Sequence, residues 1–240
     1  LYCTNFGDLS DDQINHVSQF CASVNVYKQN FFNVFVQLLF SVLRMEPIQV
    51  AMFTNARLKN DFSNVLSLGN HDLVYAQLVR SLKNIPKNIQ VPLYVDYMDC
   101  FSFGMQKRSD NSSNWFHKLF FKREASLMKK YEAREMNRVQ GASMISLQDA
   151  VRALVPVDKF DVFPNGVEIS TNHSIISQDV DLVFVGNMGY FPNVRAVKFL
   201  VEKVMPKVWE VDSTINLYIV GKSPKKEVLE LAQEKVIVTG

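Results

Sequence analysis

Short apolar runs alternate with amphipathic segments along the first two thirds of the chain. The runs have the composition of buried parallel strands, and the segments between them carry apolar residues at helical spacing. The predicted strands are 1–6, 22–27, 71–75, 91–96, 142–147 and 160–163. The predicted helices are one that opens at the capping box Ser10-Asp11-Asp12-Gln13, followed by 30–44, 55–68, 77–84 and 118–138. This alternation indicates an α/β protein with parallel sheets.

A second α/β series follows the turn-forming sequence Pro164-Asn165-Gly166. Its predicted elements are strand 182–185, helix 193–209, strand 215–220, helix 224–233 and strand 236–239. Two series joined by a turn predict two Rossmann-like domains, 1–164 and 165–240. The chain begins within a strand-like run and stops directly after another, whereas a parallel sheet needs a further loop and a covering helix. We therefore expect a fragment whose second domain is incomplete.

The composition is that of a folded globular chain, with 48% hydrophobic and 21% charged residues among 240. A net charge of +2 is too small to indicate a nucleic-acid partner. Cys3, Cys21 and Cys100 are odd in number and lack C-x-x-C spacing, which favours a reducing compartment and thus the cytoplasm. The longest apolar stretch, 31–43, is shorter than the roughly 20 residues of a membrane span, and no signal peptide is recognisable.

Two of the predicted helices leave alternatives open. Helix 30–44 is apolar nearly all round, which is typical of a helix buried between other elements and also of a surface that meets lipid or a lipid-linked substrate. Helix 118–138 carries seven basic and three acidic residues. It is either a solvated face with ion pairs or a surface that attracts anionic headgroups or phosphates.

Two glycine-containing loops follow strands of the second series. Gly186-Asn187-Met188-Gly189 lies between a strand and a helix, and Gly221-Lys222-Ser223-Pro224 holds the same position after the next strand. Because ligands of open parallel sheets bind beyond the carboxyl ends of the strands, these loops predict a diphosphate site at backbone amides and a helix N-terminus. The alternative is that the glycines only permit tight turns and that Lys222 is a solvated lysine.

Polar residues at the strand ends of the first series are further candidates. Asp96 and Asp99 stand at the carboxyl end of a predicted strand, and Arg80 follows another, so they are expected either to line an interdomain cleft or to act as loop residues. Asp179 and Asp181 have D-x-D spacing but precede their strand, which argues against a metal on a sugar nucleotide. The four histidines show no metal-ligand spacing, and no Ser-His-Asp arrangement is identifiable.

These residues resemble a known family. Residues 182–194, then Tyr218-Ile-Val-Gly221 and Val236-Ile-Val-Thr-Gly240, resemble the C-terminal domain of family 4 glycosyltransferases, and 163–167 is similar to their interdomain crossover. Upstream, residues 95–99, 130–132 and 142–146 are similar to the N-terminal domain of the subgroup associated with exopolysaccharide assembly.

The resemblance implies the GT-B fold, in which two facing Rossmann-like domains bind an acceptor and a nucleotide sugar. It implies retaining transfer from a nucleotide-sugar donor to a glycan or lipid-linked acceptor, without metal or cofactor, in a cytoplasmic protein or one peripheral at the inner membrane face. The residues carried over to the nucleotide-sugar site are Gly186, Asn187, Met188, Gly221 and Lys222, and those on the acceptor side are Arg80 and Asp99. No catalytic residue is assigned.

Two departures from the family pattern bear on function. Asn187 occupies the loop where many members carry a basic residue for the diphosphate, and Arg195 lies inside the following helix. The acidic E-x7-E region of the donor site is expected beyond Gly240, and the first strand and glycine loop of the N-domain before Leu1. The alternatives to a transferase are therefore a non-catalytic nucleotide-sugar-binding or assembly protein of the same fold, or a sugar-nucleotide epimerase.

Overall fold

The fold is taken from a computed structural model, which describes residues 1–153, 160–167, 169 and 181–240. Parallel strands alternate with helices in this part of the chain, which confirms the α/β class. The chain divides into two compact units, Leu1–Val167 and Glu168–Gly240. Asp179, one of the two aspartates with D-x-D spacing, lies outside the described residues.

The first unit contains the predicted alternation together with several additional helices. Its strands are β1 (Tyr2–Asn5), β2 (Asn25–Lys28), β3 (Val74–Gln77), β4 (Leu93–Met98), β5 (Gly141–Met144) and β6 (Phe160–Val162). Its helices are α1 (Asp11–Ser18), α2 (Phe31–Leu43), α3 (Ile48–Met52), α4 (Ala56–Ser67), α5 (Phe101–Asp110), α6 (Trp115–Met136) and α7 (Leu147–Arg152), with a 3-10 helix at Val79–Asn84.

The strands of this unit form two separate parallel sheets. β1 pairs with β2, and β3, β4, β5 and β6 form a second sheet in sequence order. In the described residues, β1 and β3 are each hydrogen-bonded to a strand on one side only. The carboxyl ends of β3 and β4 meet at one edge of the second sheet, since Gln77 pairs with Asp96.

The core of the unit lies around β4. Residues alternate along this strand, so that Leu93, Val95 and Tyr97 are buried in one cluster with Met128 and Tyr131 of α6. Such period-two burial is what a strand covered by a helix requires. The core therefore fixes the position of β4, and with it the position of the polar residues that follow the end of this strand.

Three helices were not predicted, and each lacks a strong local start signal or follows a strand too closely. α3 begins after Pro47 and α5 after Cys100, and neither cap supplies a side-chain hydrogen bond. The strand predicted at 142–147 ends at Met144, because Ser146 caps α7 by accepting a hydrogen bond from the Asp149 amide. α6 starts at Trp115 rather than 118, since Asn114 accepts hydrogen bonds from the next turn.

The apolar helix predicted at 30–44 is present as α2, but it is not buried on all sides. Val34 and Ser41 are buried, whereas seven apolar side chains of this helix are exposed. The expectation of a helix enclosed between other elements is therefore wrong. Within the described ranges, no helix combines the length and apolar character needed to cross a membrane.

The second unit is a three-stranded parallel sheet with helices. Its elements are β7 (Leu182–Val185), α8 (Phe191–Phe199), α9 (Met205–Val211), β8 (Leu217–Val220), α10 (Lys226–Leu229) and β9 (Val236–Val238). A π-helical segment, Leu200–Val204, joins α8 to α9 immediately before Pro206. Because proline has no amide hydrogen and displaces the preceding turn, the helix predicted at 193–209 is widened there rather than continuous.

Candidate functional site

Two βα loops of the second unit lie side by side. β7 and β8 pair in parallel with Val185 opposite Val220, so the loops that follow them leave the same edge of the sheet. The Gly186 amide donates to the Val220 carbonyl at 3.0 Å, and the Met188 amide donates to the Lys222 carbonyl at 2.9 Å. The two loops are thus joined through their backbones, at the edge where parallel sheets bind ligands.

This close approach requires glycine at position 221. Gly221 has φ +147°, and a Cβ built on it would lie 1.7 Å from the Gly186 carbonyl oxygen. A Cβ on Gly186 would lie 2.8 Å from the Asn193 side-chain nitrogen. Gly221 is therefore explained by packing between the two loops and Gly186 by packing against the helix that follows its own loop, as well as by any ligand that the loops hold.

Asn187 and Asn193 fix the shape of the first loop. Asn187 Oδ1 accepts a hydrogen bond from the Gly189 amide at 2.9 Å, and the Asn187 carbonyl accepts one from Asn193 Nδ2 at 3.1 Å. The Asn187 side chain remains exposed. Asn193 was predicted only as the start of a helix, and nothing in the sequence indicates its hydrogen bond to the loop.

The side chain of Met188 points away from solvent. It is fully buried in the core of the second unit with Val194, Val197 and Ile219. Its amide is already bonded to the Lys222 carbonyl. Met188 therefore anchors the loop in the core, and its side chain does not border a solvent-accessible site in this structure.

An exposed positive charge lies on these loops, while most of their backbone amides are bonded within the unit: the Tyr190 amide donates to the Asn187 carbonyl at 3.1 Å and the Asn193 amide to the Tyr190 carbonyl at 3.0 Å. Lys222 is exposed, and the cap residue of α8, Tyr190, provides no side-chain acceptor for the amides of the first turn. Pro192 lowers the number of those amides by one. A helix N-terminus and a nearby ammonium both favour an anion.

The comparison with known families concerns the second unit. Residues 179–240 match the family described as "Glycosyl transferases group 1". No curated protein matches the chain. The matched stretch contains β7, β8, β9 and both loops, and it supports a glycosyltransferase that uses a nucleotide-sugar donor and an acceptor.

Arg80, which the sequence predicts on the acceptor side, stands just after β3 in the first unit. Its guanidinium carbon is 3.8 Å from the ring centre of Phe53 and 5.5 Å from that of Phe101. Burial lowers the pKa of this guanidinium, but an arginine stays charged throughout the physiological range. Two aromatic faces therefore hold a cation at the carboxyl edge of the four-stranded sheet. The rings of Phe53 and Phe101 were not anticipated as part of this site.

Asp99, the second acceptor-side candidate, follows the end of β4. It comes after Met98, whose φ of +59° is unusual for a residue with a side chain, and Leu78 after β3 has φ +67°. Burial and the charge of Asp149 raise the pKa of the Asp99 carboxyl. Strained backbone and a perturbed carboxyl together mark this edge as a candidate site.

Asp96 has a different role from Asp99. Its carboxylate accepts hydrogen bonds from the Tyr75 hydroxyl, the Ser143 hydroxyl and the Met98 amide, each at 3.2 Å. These bonds link three neighbouring strands, so Asp96 serves as a structural residue of the sheet. Asp181, likewise, accepts a hydrogen bond from the Asn216 amide at 2.8 Å, at the amino end of β8.

Arg80 and Asp99 share the same edge of the sheet. Across the described ranges of the chain, no salt bridge joins the two. A cation and a partly buried carboxyl that do not neutralise each other both remain able to bind the hydroxyls of a sugar. Within the same ranges, no group of three or more His, Cys, Asp or Glu side chains is placed to hold a metal ion.

Proposed function

We propose that the chain is part of a retaining, metal-independent family 4 glycosyltransferase of exopolysaccharide biosynthesis. It would act in the cytoplasm, where it is able to contact the inner membrane face, and transfer a sugar from a nucleotide donor to a glycan or lipid-linked acceptor. The observation that carries the proposal is the family match over residues 179–240, which includes both backbone-joined loops. In this proposal, residues 165–240 bind the donor and residues 1–164 bind the acceptor.

The donor site uses the two loops of the second unit. The diphosphate lies against the amino end of α8, with Gly186 and Asn187 on one side and Gly221 and Lys222 on the other. As the bond between the sugar and the diphosphate breaks, negative charge grows on the leaving group. The positive end of the α8 helix dipole and the Lys222 ammonium stabilise that charge, which is the main way such a site lowers the barrier. Met188 contributes by holding the loop in place.

The acceptor side uses Arg80 and Asp99. The guanidinium of Arg80 is oriented by two rings, so its outward N–H groups are preorganised as donors to a sugar hydroxyl. Asp99 is a hydrogen-bond acceptor for a second hydroxyl. We assign both to positioning of the acceptor, whose hydroxyl attacks the anomeric carbon of the donor sugar.

The first test is thermal-shift binding of UDP, GDP and ADP and of their sugar conjugates. A ligand that binds only the folded state at about 100 times its Kd stabilises the protein by about 2.7 kcal/mol. We expect one nucleotide to raise the melting temperature, and Lys222→Ala to weaken that nucleotide about tenfold through loss of one charge-assisted contact. Lys207→Ala, which removes an exposed lysine from α9, is the matched control. Equal effects of the two variants would refute the role of Lys222.

A non-catalytic nucleotide-sugar-binding protein is the second candidate. The observation in its favour is Asn187, an uncharged side chain committed to a bond within its own loop. This candidate predicts nucleotide binding without release of nucleoside diphosphate when glycan or lipid-linked acceptors are added. Release that depends on the acceptor supports the transferase, whereas release without any acceptor supports an epimerase.

A further inference from the structure

The polarity of α2 is reversed relative to that of an ordinary surface helix. Its exposed side chains are apolar, with relative exposures between 49% and 88%. They are Phe31, Phe32, Phe35, Leu39, Phe40, Val42 and Leu43. A helix that is covered only by water normally presents polar residues on this side.

The inner side of α2 carries two of its three polar residues together with Val34, while Asn33 is exposed. Ser41 is buried and donates a hydrogen bond back to the Leu38 carbonyl at 2.7 Å. Gln37 is directed inward, and its buried Oε1 finds no donor among the described residues. Burying a polar atom without a partner costs free energy, while apolar area on the other face remains in water. An apolar environment that covers the outer face would remove this apolar area from water and so stabilise the arrangement.

A second exposed apolar segment opens α6. The first turns of α6 carry no buried residue. Their large apolar side chains are all exposed, namely Trp115, Phe116, Leu119 and Phe120. The two segments are connected through α3, whose first amide, that of Ile48, donates to the Glu124 carboxylate at 2.8 Å. The carboxyl end of α2 therefore leads, over a few residues, to the middle of α6.

The charges on both segments have one sign. Residues 31–45 and 111–123 contain Arg44, Lys118, Lys122 and Arg123 and no aspartate or glutamate, although Arg123 is paired with Glu124, the next residue, at 2.9 Å. Arg44 stacks on Phe40 with its guanidinium carbon 5.3 Å from the ring centre. Exposed aromatic and aliphatic side chains combined with basic ones match the boundary between acyl chains and anionic headgroups.

The structure assigns the outer face of α2, together with the first turns of α6, to docking on an anionic phospholipid bilayer. α2 lies in the interface rather than across it, because 13 residues of helix extend about 20 Å and a span needs about 20 residues. This inference does not rest on the transferase function. It concerns an interaction surface of the first unit and holds whether or not the second unit transfers sugar.

The test is flotation of the full 240-residue chain with vesicles in the absence of nucleotide sugar. Vesicles of phosphatidylcholine and phosphatidylglycerol are compared with vesicles of phosphatidylcholine alone. We expect stronger binding to the anionic vesicles, with weakening as salt rises. Replacing both Phe35 and Leu39 by serine should lower the partition coefficient at least about tenfold. Leu147→Ser with Val151→Ser is the matched control, since this pair on α7 has the same spacing and similar exposure.

Two double lysine variants of the same helix, α6, test the contribution of charge to vesicle binding. Lys118→Gln with Lys122→Gln should reduce binding to anionic vesicles about thirtyfold, because each lysine near such a surface contributes about fivefold. Lys129→Gln with Lys130→Gln changes the net charge equally, farther along α6, and should have a much smaller effect. Each of these side chains is exposed, so circular dichroism should show unchanged folding.

Three results would overturn the inference. The first is the absence of flotation, and the second is an equal response of the α2 pair and the α7 pair. The third is a dimer in sedimentation velocity that the Phe35 and Leu39 changes dissociate, because a second copy would then cover the face. Nucleotide binding is measured separately, so failure of lipid docking and failure of the proposed transferase function are distinguishable.

Discussion

Substitution of Gly221 by alanine should separate the two loops of the second unit. The added Cβ would stand 1.7 Å from the Gly186 carbonyl oxygen and 2.8 Å from its carbon. Both are backbone atoms, so no side chain can rotate away to relieve the contact. The φ of +147° is a conformation that alanine rarely adopts and costs about 1–3 kcal/mol.

The loss of stability follows from the bonds that this separation breaks. The hydrogen bonds from the Gly186 and Met188 amides contribute about 0.5–1.5 kcal/mol each. Together with the backbone strain, the free energy of unfolding of the second unit should fall by about 3 kcal/mol or more. Nucleotide binding should be lost as well, since both loops would move.

The assay uses the fluorescence of Trp209, whose indole N–H donates to the Ile215 carbonyl at 2.8 Å inside the second unit. The chain has two tryptophans, so Trp115→Phe leaves Trp209 as the sole reporter. Urea denaturation then measures the unit directly. Gly104→Ala is the control, because a Cβ at that helical position meets nothing within 4 Å. A change below about 0.5 kcal/mol in the Gly221 variant would refute the steric argument.

Two further predictions concern single polar side chains. Burial raises the pKa of Glu132 to about 7, so the folded chain binds a proton that the unfolded chain has released. The contribution of this group to the free energy of unfolding should therefore be greatest below about pH 4.5 and fall as the pH rises towards 7. Between pH 5 and pH 8 the free energy of unfolding should change by up to about 3 kcal/mol on this account, and denaturation at the two pH values should show that Glu132→Gln removes that change. Asn193→Ala should cost about 1 kcal/mol in urea denaturation and weaken nucleotide binding, because the Asn187 carbonyl loses one of its two donors and keeps only the Tyr190 amide. Unchanged binding would show that the Asn193 hydrogen bond is not needed to hold the loop.

Local signals in the sequence were sufficient for much of the secondary structure. The capping box at Ser10 is present with both of its bonds, from the Gln13 amide at 3.3 Å and to the Gln13 side chain at 3.0 Å. Apolar runs located the strands, although β3 and β4 are buried at alternate positions only. Where a helix begins without a capping side chain, as α5 does at Cys100, the same reasoning has nothing to detect.

The pairing of strands that are distant in the chain could not be predicted from the sequence. The division of the first unit into two sheets depends on which strand edges meet, and strand composition carries no such information. The orientation of α2 is a similar case. Its apolar residues surround the helix nearly completely, so period alone does not state which side packs inward. Val34 and Ser41 are buried and so mark the inward side in the structure.

The candidate site shows most clearly what a motif can and cannot indicate. Position after a parallel strand correctly indicated that two loops adjoin, but the glycines were open to two explanations. The structure supplies a steric reason for Gly221 that holds even if no ligand ever binds, since its neighbour is the Gly186 carbonyl 35 residues earlier in the chain. A glycine required for packing persists in a non-catalytic relative as readily as in an enzyme. The side chains that packing does not require are therefore the informative ones, and Lys222, exposed beside the uncapped amino end of α8, is where transferase and binding protein should differ.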